Sequence, residues 1–573
     1  MTSRRQPLLF LVLLIALGAW LRLRGIGFGL PAVYNPDEVS IMSRALAFAS
    51  GDLNPHNFLY PTLYFYLLFA WMGAYFVAAW IVGAIPSVTA FQQSFFLEPT
   101  AVYLAGRALT VLFGVAAITG VWRIGSRMWG GSAGLAAAFF LAVAPFAVRD
   151  SHYVKHDVPT TAALVAAFLA IVWLSESGPD NRSRRAWVAA ALAGIATSMH
   201  YYAAFIGLPL AIAVWLAWPE EPVAPRLRRI AKAGAIAVMA FFLGSPFLLA
   251  EPLTAIRDLR ANRQIVIDRA VESASGWFPS ATAYGRMLAI DATGWPIALL
   301  AVIGVVALSR ARSRMAWLFL SFPIAFLLFI SNTVAATRYV NAVLPFVAIA
   351  AGIGVSAVGA AIADARTRAA AVTAVTIAAA WPALAVSLHT GTFFRQPDTR
   401  TLALEFLETR VPEGATVLVQ PYSVPMTQSR EGLTEALTAH LGDPSRASRK
   451  FQIQLAMPEW PRPAYRVLYL GRGGLDTDKI YVDYAEIGGS AGLSALRRLK
   501  VQYVILKRYN DESAVMAPLV EALGREGRRL HEVTPYWPST RGVGVEPFLH
   551  NTDARFDASL ARPGPVIEIW QLL

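Results

Sequence analysis

The chain alternates long apolar runs with short polar breaks. From Leu8 to Leu388 the runs recur at about 17–25 residues, the length a bilayer span needs. The breaks are "WRIGSRMWGG", "ESGPDNRSRR", "RLRRIAK", "RARSR" and "DARTR", all short and Arg-rich. The positive-inside rule places all five in the cytoplasm. From Gly391 the pattern changes. "DTRTLALEFLETRVPEGATVLVQP" reads as an amphipathic helix, a Pro-Glu-Gly turn and a strand, and "AYRVLYLG", "SALRRLKVQYVILKR" and "PVIEIWQLL" add strand-like runs. The pattern predicts a polytopic α-helical membrane protein over residues 1–390, followed by a soluble α/β domain over 391–573.

Parity then fixes the sides. "MTSRRQPLLFLVLLIALGAWLRLRG" is basic, then apolar, and ends in Leu-Arg-Leu-Arg rather than a small-residue cleavage site. It is expected to be a retained first transmembrane helix with its N-terminus in the cytoplasm. Arg24 and Arg123 must lie on opposite sides, so the chain crosses an odd number of times between them. Two apolar runs lie there, Phe58 to Ile85 and Ala101 to Val121. Only one can cross. The first, opening with the Pro- and Tyr-containing "FLYPTLYFYLL", is expected to be juxtamembrane or re-entrant on the outer side. The remaining runs alternate to give about 11 crossings. A first external loop spans 25–100 and a second long one 251–292. "RDSHYVKHD", Met199 to Tyr202 and "NTVAATRY" fall outside, as does the domain from 391. The expected location is a multi-pass protein of the cell inner membrane.

Composition agrees. Of 573 residues 56% are hydrophobic and 15% charged, and the mean hydropathy is +0.48. A soluble chain carries about a quarter charged residues. The net charge is +13, but residues 391–573 hold 22 Lys+Arg against 21 Asp+Glu. The excess therefore lies in the membrane part, and no basic, aromatic-interleaved module points to nucleic acid. There are no cysteines, which excludes disulfides, thiolate metal sites and a Cys nucleophile. Walker A, GxGxxG-after-strand and HExxH motifs are absent.

Three groups of residues could carry chemistry. The first is Asn35-Pro36-Asp37-Glu38. Asn35 suits an N-cap, Pro36 the first helical position, and Glu38 a capping-box acid. A cap accounts less well for Asp37, in a loop beside the membrane. The second is Arg149 to Asp157, "RDSHYVKHD", in which Asp157 stands where the next apolar helix opens. An acid so near hydrocarbon is a functional hypothesis. The third is a set of outer-face cations, Arg107, His200 and Arg338. Snorkelling to lipid headgroups is the plain alternative. Outer-face Arg in apolar helix otherwise calls for an anion such as a lipid phosphate.

"LPAVYNPDEVSIMSRALAFASGDLNPHNFLYPTLYFYLLFAW" resembles the first external loop of family-39-like, C-type membrane glycosyltransferases, which include protein O-mannosyltransferases and lipid A aminoarabinose transferases. "GRALTVLFGVAAITGVWRIGSRMWGGSAGLAAAFFLAVAPFAVRDSHYVKHD", "TRYVNAVLPFVAIAAG" and "DTRTLALEFLETRVPEGATVLV" continue that pattern in order. The resemblance implies a sugar donor on a polyprenyl phosphate, used on the external face with inversion. Asp37 would be the catalytic base, and Asp157 would orient acceptor, sugar or a cation. Arg107, Lys155, His200 and Arg338 would meet the phosphate. Relatives carry a basic residue before a Pro-Pro where this chain has Tyr60-Pro61-Thr62, which leaves His56 or His200 as the substitute. Glu38, Tyr60, His156, Tyr201 and Tyr339 complete the expected substrate-binding set. No cofactor is expected beyond the lipid-linked donor; a divalent metal is possible, but no spaced ligand set indicates one. Expected partners are membrane lipids, the donor, and an acceptor protein or glycan. The rival readings are a transporter or lipid flippase, which would place its charges near the midplane, and a non-catalytic carbohydrate-binding membrane protein.

Overall fold

The computed structural model describes residues 5–264, 276–473, 476–487, 493–509, 512–542, 544–550 and 557–573. The chain divides into two compact units. One contains Met1–Ile26, Asp37–Ala74 and Tyr103–Gly391; the other contains Gly27–Pro36, Tyr75–Val102 and Thr392–Leu573. One break between the units falls between Gly391 and Thr392. The second unit also takes in two pieces of the first loop that the sequence pattern assigned elsewhere.

The first unit is helical. Its opening helices are α1 (Arg5–Leu23), α2 (Pro36–Ala47), α3 (Leu63–Ile81), α4 (Val88–Leu97), α5 (Thr100–Trp129), α6 (Gly131–Val143), α7 (Pro145–Asp150), α8 (Asp157–Ser175) and α9 (Arg182–Met199); α4 and parts of α2, α3 and α5 group with the second unit. Among the described residues five helices are long and apolar enough to cross a membrane, or six if Trp277–Ala292 and Trp295–Ala311 form one bent span. Four shorter apolar helices accompany them, α6 among them. On length and composition alone this is fewer than the 11 crossings expected. Helix α3, which parity sets on one side, does have the length and apolarity to cross. The expected loop 251–292 lies partly outside the described residues. Its described parts are helical, at Pro252–Arg263 and Trp277–Arg286, with a π-helical turn over Met287–Ala292.

Small residues set the packing of this unit. Gly304, on Trp295–Ala311, and Gly354, on Leu344–Gly359, each face the other helix's backbone, Gly304 at Ala350 and Gly354 at Leu300, with no room for a Cβ. Such small-residue contacts let helix backbones approach where lipid removes the usual hydrophobic drive.

One break in the bundle builds the site. Pro145 lacks an N–H and disfavours helix at the residue before it. Ala144 is accordingly extended, and α6 stops at Val143. A helix end leaves carbonyls without partners. Arg22 donates to Leu141 O at 3.2 Å and Ala142 O at 2.9 Å, and Ser387 donates to Val143 O at 2.7 Å. Arg22 is thus a buried cation held by the negative end of a helix. The chain then turns through α7 and the segment 151–156 into α8, carrying all of "RDSHYVKHD" with it.

The second unit contains a six-stranded sheet, with β1 (Thr416–Val419), β2 (Arg466–Leu470), β3 (Ile480–Val482), β4 (Tyr503–Arg508), β5 (Gly527–Val533) and β6 (Val566–Leu572). The order is β3-β2-β1-β4-β6-β5. The first four strands are parallel and β6 runs antiparallel to β4 and β5. Apolar clusters cover both faces, one including Ala403 and Leu407 of helix Thr399–Arg410, the other Leu519 and Leu523 of helix Glu512–Glu526. This is the expected α/β architecture.

Candidate active site

The two acids of "NPDE" part company within one residue. Helix α2 buries Glu38, Ile41, Met42 and Ala45, one stripe of a 3.6-residue period. Glu38 therefore points into the protein, and Asp37, about 100° around the helix, does not. Arg107 on α5 meets Glu38 with two parallel bonds of 2.9 Å, and both side chains are 0% exposed. The Val154 N–H also donates to Glu38, and Arg107 donates to Ile26 O. This corrects two expectations. Glu38 is not a capping-box acid, because both its oxygens are already held. Arg107 and Glu38, expected to meet substrate, are instead fully buried and bonded to each other. The pair locks α2, α5 and the segment before α8 together.

Asp37 has the opposite surroundings. Its side chain is 39% exposed, and its Oδ2 lies 2.9 Å from Lys155 Nζ and 3.9 Å from Arg338 Nη1. Lys155 also lies 4.0 Å from Asp157. Asp37, Lys155, Asp157 and Arg338 thus form one cluster from three places in the sequence. Burial pushes the Asp37 carboxyl upward, but the Lys155 charge and hydrogen bond, then Arg338, outweigh it and hold it below its ordinary value. Burial works against the Lys155 ammonium, yet Asp37 and Asp157 raise it above its ordinary value.

An aromatic wall stands beside the cluster. The His156 ring stacks on Tyr60 at 4.4 Å, and His200 meets Tyr60 edge-on at 5.3 Å and Tyr202 at 4.0 Å. Burial, reinforced by Arg44, Lys155 and Arg338, pushes His156 down to about 3. Burial and His156 push His200 well down too. Both rings are neutral at pH 7. Two buried nitrogens, His156 Nε2 and Arg338 Nε, have no hydrogen-bond partner among the described residues. Tyr339 lies under Arg338, its ring centroid 5.0 Å from the guanidinium carbon, and its hydroxyl accepts from Arg338 at 3.3 Å.

Two candidates take other roles. The Tyr201 hydroxyl donates to Phe58 O, while Asp258 and Asn262 hold Phe58 N and Leu59 O. Tyr201 therefore fixes the backbone before Tyr60 rather than a ligand. His56 is exposed, in a left-handed conformation at φ 49°, and bonded to Asp52 at 2.9 Å and Glu251 at 2.7 Å. Its two ring nitrogens are engaged on the surface, so it does not replace the missing basic residue. Arg44 escaped the sequence reading. It lies seven residues beyond Asp37 on α2, hence on the same face, and its charge is felt at Tyr60 and His156. Asp258 faces Arg44 in turn, so Arg44, Lys155 and Arg338 stand against Asp37, Asp157 and Asp258. Asn35, two residues before Asp37, belongs to the second unit, where its amide donates to His550 O at 2.7 Å. Among the described residues no group of three His, Asp or Glu side chains is arranged around one metal position.

Residues 84–249 match the family model described as dolichyl-phosphate-mannose-protein mannosyltransferase, under a third of the chain. The structure superposes on ArnT from Cupriavidus metallidurans in the apo state at 12% identity and TM-score 0.51, covering 90% of this chain and 95% of that one. The chain has the fold of a C-type membrane glycosyltransferase. It also aligns with the archaeal oligosaccharyltransferase AglB from Archaeoglobus fulgidus, solved with an inhibitory peptide and a dolichol-phosphate, at 12% identity and TM-score 0.48, covering 94% and 74% of the two chains. ArnT bound to undecaprenyl phosphate aligns at 13% identity and TM-score 0.47, with the same coverage as the apo form. No curated protein matches the sequence.

Proposed function

We propose that this protein is a glycosyltransferase that moves a sugar from a polyprenyl phosphate to an acceptor hydroxyl on the external face of the membrane. The observation that carries the reading is the half-open Asp37 carboxylate bracketed by Lys155 and Arg338. A base beside two fixed cations suits a reaction in which a hydroxyl loses a proton while a phosphate gains charge. The family model over 84–249, whose description names a dolichyl-phosphate sugar, and the shared fold support the donor class.

In the proposed step the acceptor oxygen forms a bond to the anomeric carbon and the carbon–oxygen bond to phosphate breaks. The electron pair leaves on the phosphate, facing Lys155 and Arg338, and the hydroxyl proton passes to Asp37. One displacement with one base inverts the anomeric centre. Asp157 holds Lys155 from the far side, and Tyr60 with the neutral His156 and His200 rings forms the wall against which the sugar lies. Lys155 couples the two halves of the step. Without donor it lowers the basicity of Asp37. A bound phosphate competes for the same ammonium, so Asp37 becomes a better base only when donor is present.

The test is turnover by the full chain in lipid with a panel of polyprenyl-phosphate sugars. One donor is expected to be consumed and its anomeric configuration to invert by NMR. Retention of configuration would overturn the single-displacement scheme, and consumption of none would overturn the reading.

A further inference from the structure

Arg149 and Asp150 have no part in the scheme above, yet both are buried charges beside it. They are the last two residues of α7. Arg149 Nε donates to Asp150 Oδ1 at 2.6 Å, and the Arg149 guanidinium lies over the Phe146 ring at 4.6 Å. Each then reaches across to the segment that carries Arg338. Arg149 Nη2 donates to Thr337 Oγ1 at 2.8 Å, and Asp150 Oδ2 accepts from Asn341 Nδ2. Thr337 and Asn341 are fully buried and stand on either side of Arg338.

Arg338 needs such support. It belongs to a helix of four residues, Thr337–Val340, entered from an extended Ala336. A single turn does not hold its own conformation, because nucleation fixes several dihedrals for one hydrogen bond. Its shape must come from outside. A buried ion pair is also a weak way to gain stability, since apolar replacements of similar volume often do better. Here the pair is neutral overall and gives two directed contacts to one short turn.

We infer that Arg149 and Asp150 are positioning residues that clamp residues 337 and 341 and so aim the Arg338 guanidinium at the donor phosphate. The inference rests on the proposed role of Arg338. The clamp adds no net charge beside the cluster, and its two contacts, to Thr337 and Asn341, set the direction of the cation.

The experiment titrates the full chain in nanodiscs with undecaprenyl phosphate, and separately with undecaprenol, the same lipid without phosphate. Thr337→Val keeps the side-chain shape and removes the hydroxyl, whereas Thr337→Ser keeps the hydroxyl. Thr337→Val is expected to weaken undecaprenyl phosphate binding about tenfold, the scale of one directed hydrogen bond. Thr337→Ser should bind like wild type, and undecaprenol binding should be unchanged in both. Asn341→Leu, which removes the amide that Asp150 holds and leaves every charge in place, should follow Thr337→Val. Arg338→Ala is the reference. If it binds undecaprenyl phosphate as wild type does, the phosphate role of Arg338 fails. If Arg338→Ala is weakened while Thr337→Val and Asn341→Leu bind normally, the clamp alone fails. Equal losses for phosphate and alcohol would also overturn the clamp, because they indicate a general disturbance of the fold.

Discussion

Asp37 and Glu38 are neighbours with opposite fates. Glu38 is closed in by Arg107 with no exposed surface, and Asp37 is left part-open between two cations. Both are carboxylates facing basic groups. The difference lies in what remains unsatisfied. Around Glu38 both oxygens are taken and the pair is complete. Around Asp37 the Lys155 ammonium is shared with Asp157, and among the described residues the buried His156 Nε2 and Arg338 Nε have no hydrogen-bond partner. A completed buried pair holds a structure together, whereas an incomplete one has capacity left for a ligand.

This contrast can be broken by mutation. Glu38→Ala leaves the Arg107 charge buried and alone, a loss of about 3–5 kcal/mol. Thermal unfolding in detergent should show the full destabilisation, with activity lost along with the fold. Glu38→Ala combined with Arg107→Met should recover much of that stability, because it removes both charges. Lys155→Met belongs to the other class. It should weaken undecaprenyl phosphate binding at least about tenfold, since a charge-assisted contact is lost. Its melting temperature should move much less than that of Glu38→Ala.

The pH dependence of stability separates the ionic cluster from the wall beside it. Asp37 titrates lower in the folded state, so its contribution is present above its unfolded value of about 4 and is lost only as pH falls through the lower folded value. Lys155 titrates higher, so its contribution is complete below about 10.4 and is lost as pH rises through the folded value. Neither changes between about pH 5 and 10. His156 does contribute there. Unfolded, it binds a proton near pH 6.5, but folded it resists one down to about 3. Stability should therefore fall as pH drops from 7 to 4, and His156→Phe should make that fall shallower, His200 and His152 keeping their own share. An unchanged slope would show that the ring is not held neutral. The smallest effect expected is at His56. Its bonds to Asp52 and Glu251 are on the surface, and such pairs are worth about 0–1 kcal/mol. His56→Ala should change turnover by less than about twofold; a large loss would restore it as a phosphate ligand.

Much of this was legible in the sequence. The change at Gly391 marked the approach to the sheet, and "RDSHYVKHD" and "NTVAATRY" marked residues that meet in space. The separation of Asp37 from Glu38 was also readable. The apolar positions Ile41, Met42 and Ala45 set a stripe on which Glu38 falls and Asp37 does not. A reading of NPDE as a cap looked at the first turn alone and missed the seven-residue period, which also carries Arg44. Other features were beyond a one-dimensional pattern. Nothing local says that Arg22 will meet the end of α6, or that Arg149 and Asp150 will grip residues almost two hundred positions later. Those depend on which helices pack together, and in a membrane protein apolar surfaces alone say little about that. Helix count suffered for a related reason: Pro145 and Arg22 allow α6 to end after 13 residues, shorter than any span inferred from hydropathy.

The most direct test of the central claim is Asp37→Asn, with undecaprenyl phosphate binding and sugar transfer measured on the same reconstituted protein. The account predicts that binding holds or tightens, because a negative charge leaves the cation cluster, while transfer falls about 10²–10⁴-fold with the loss of the base. Transfer at the wild-type rate, with binding intact, would contradict it.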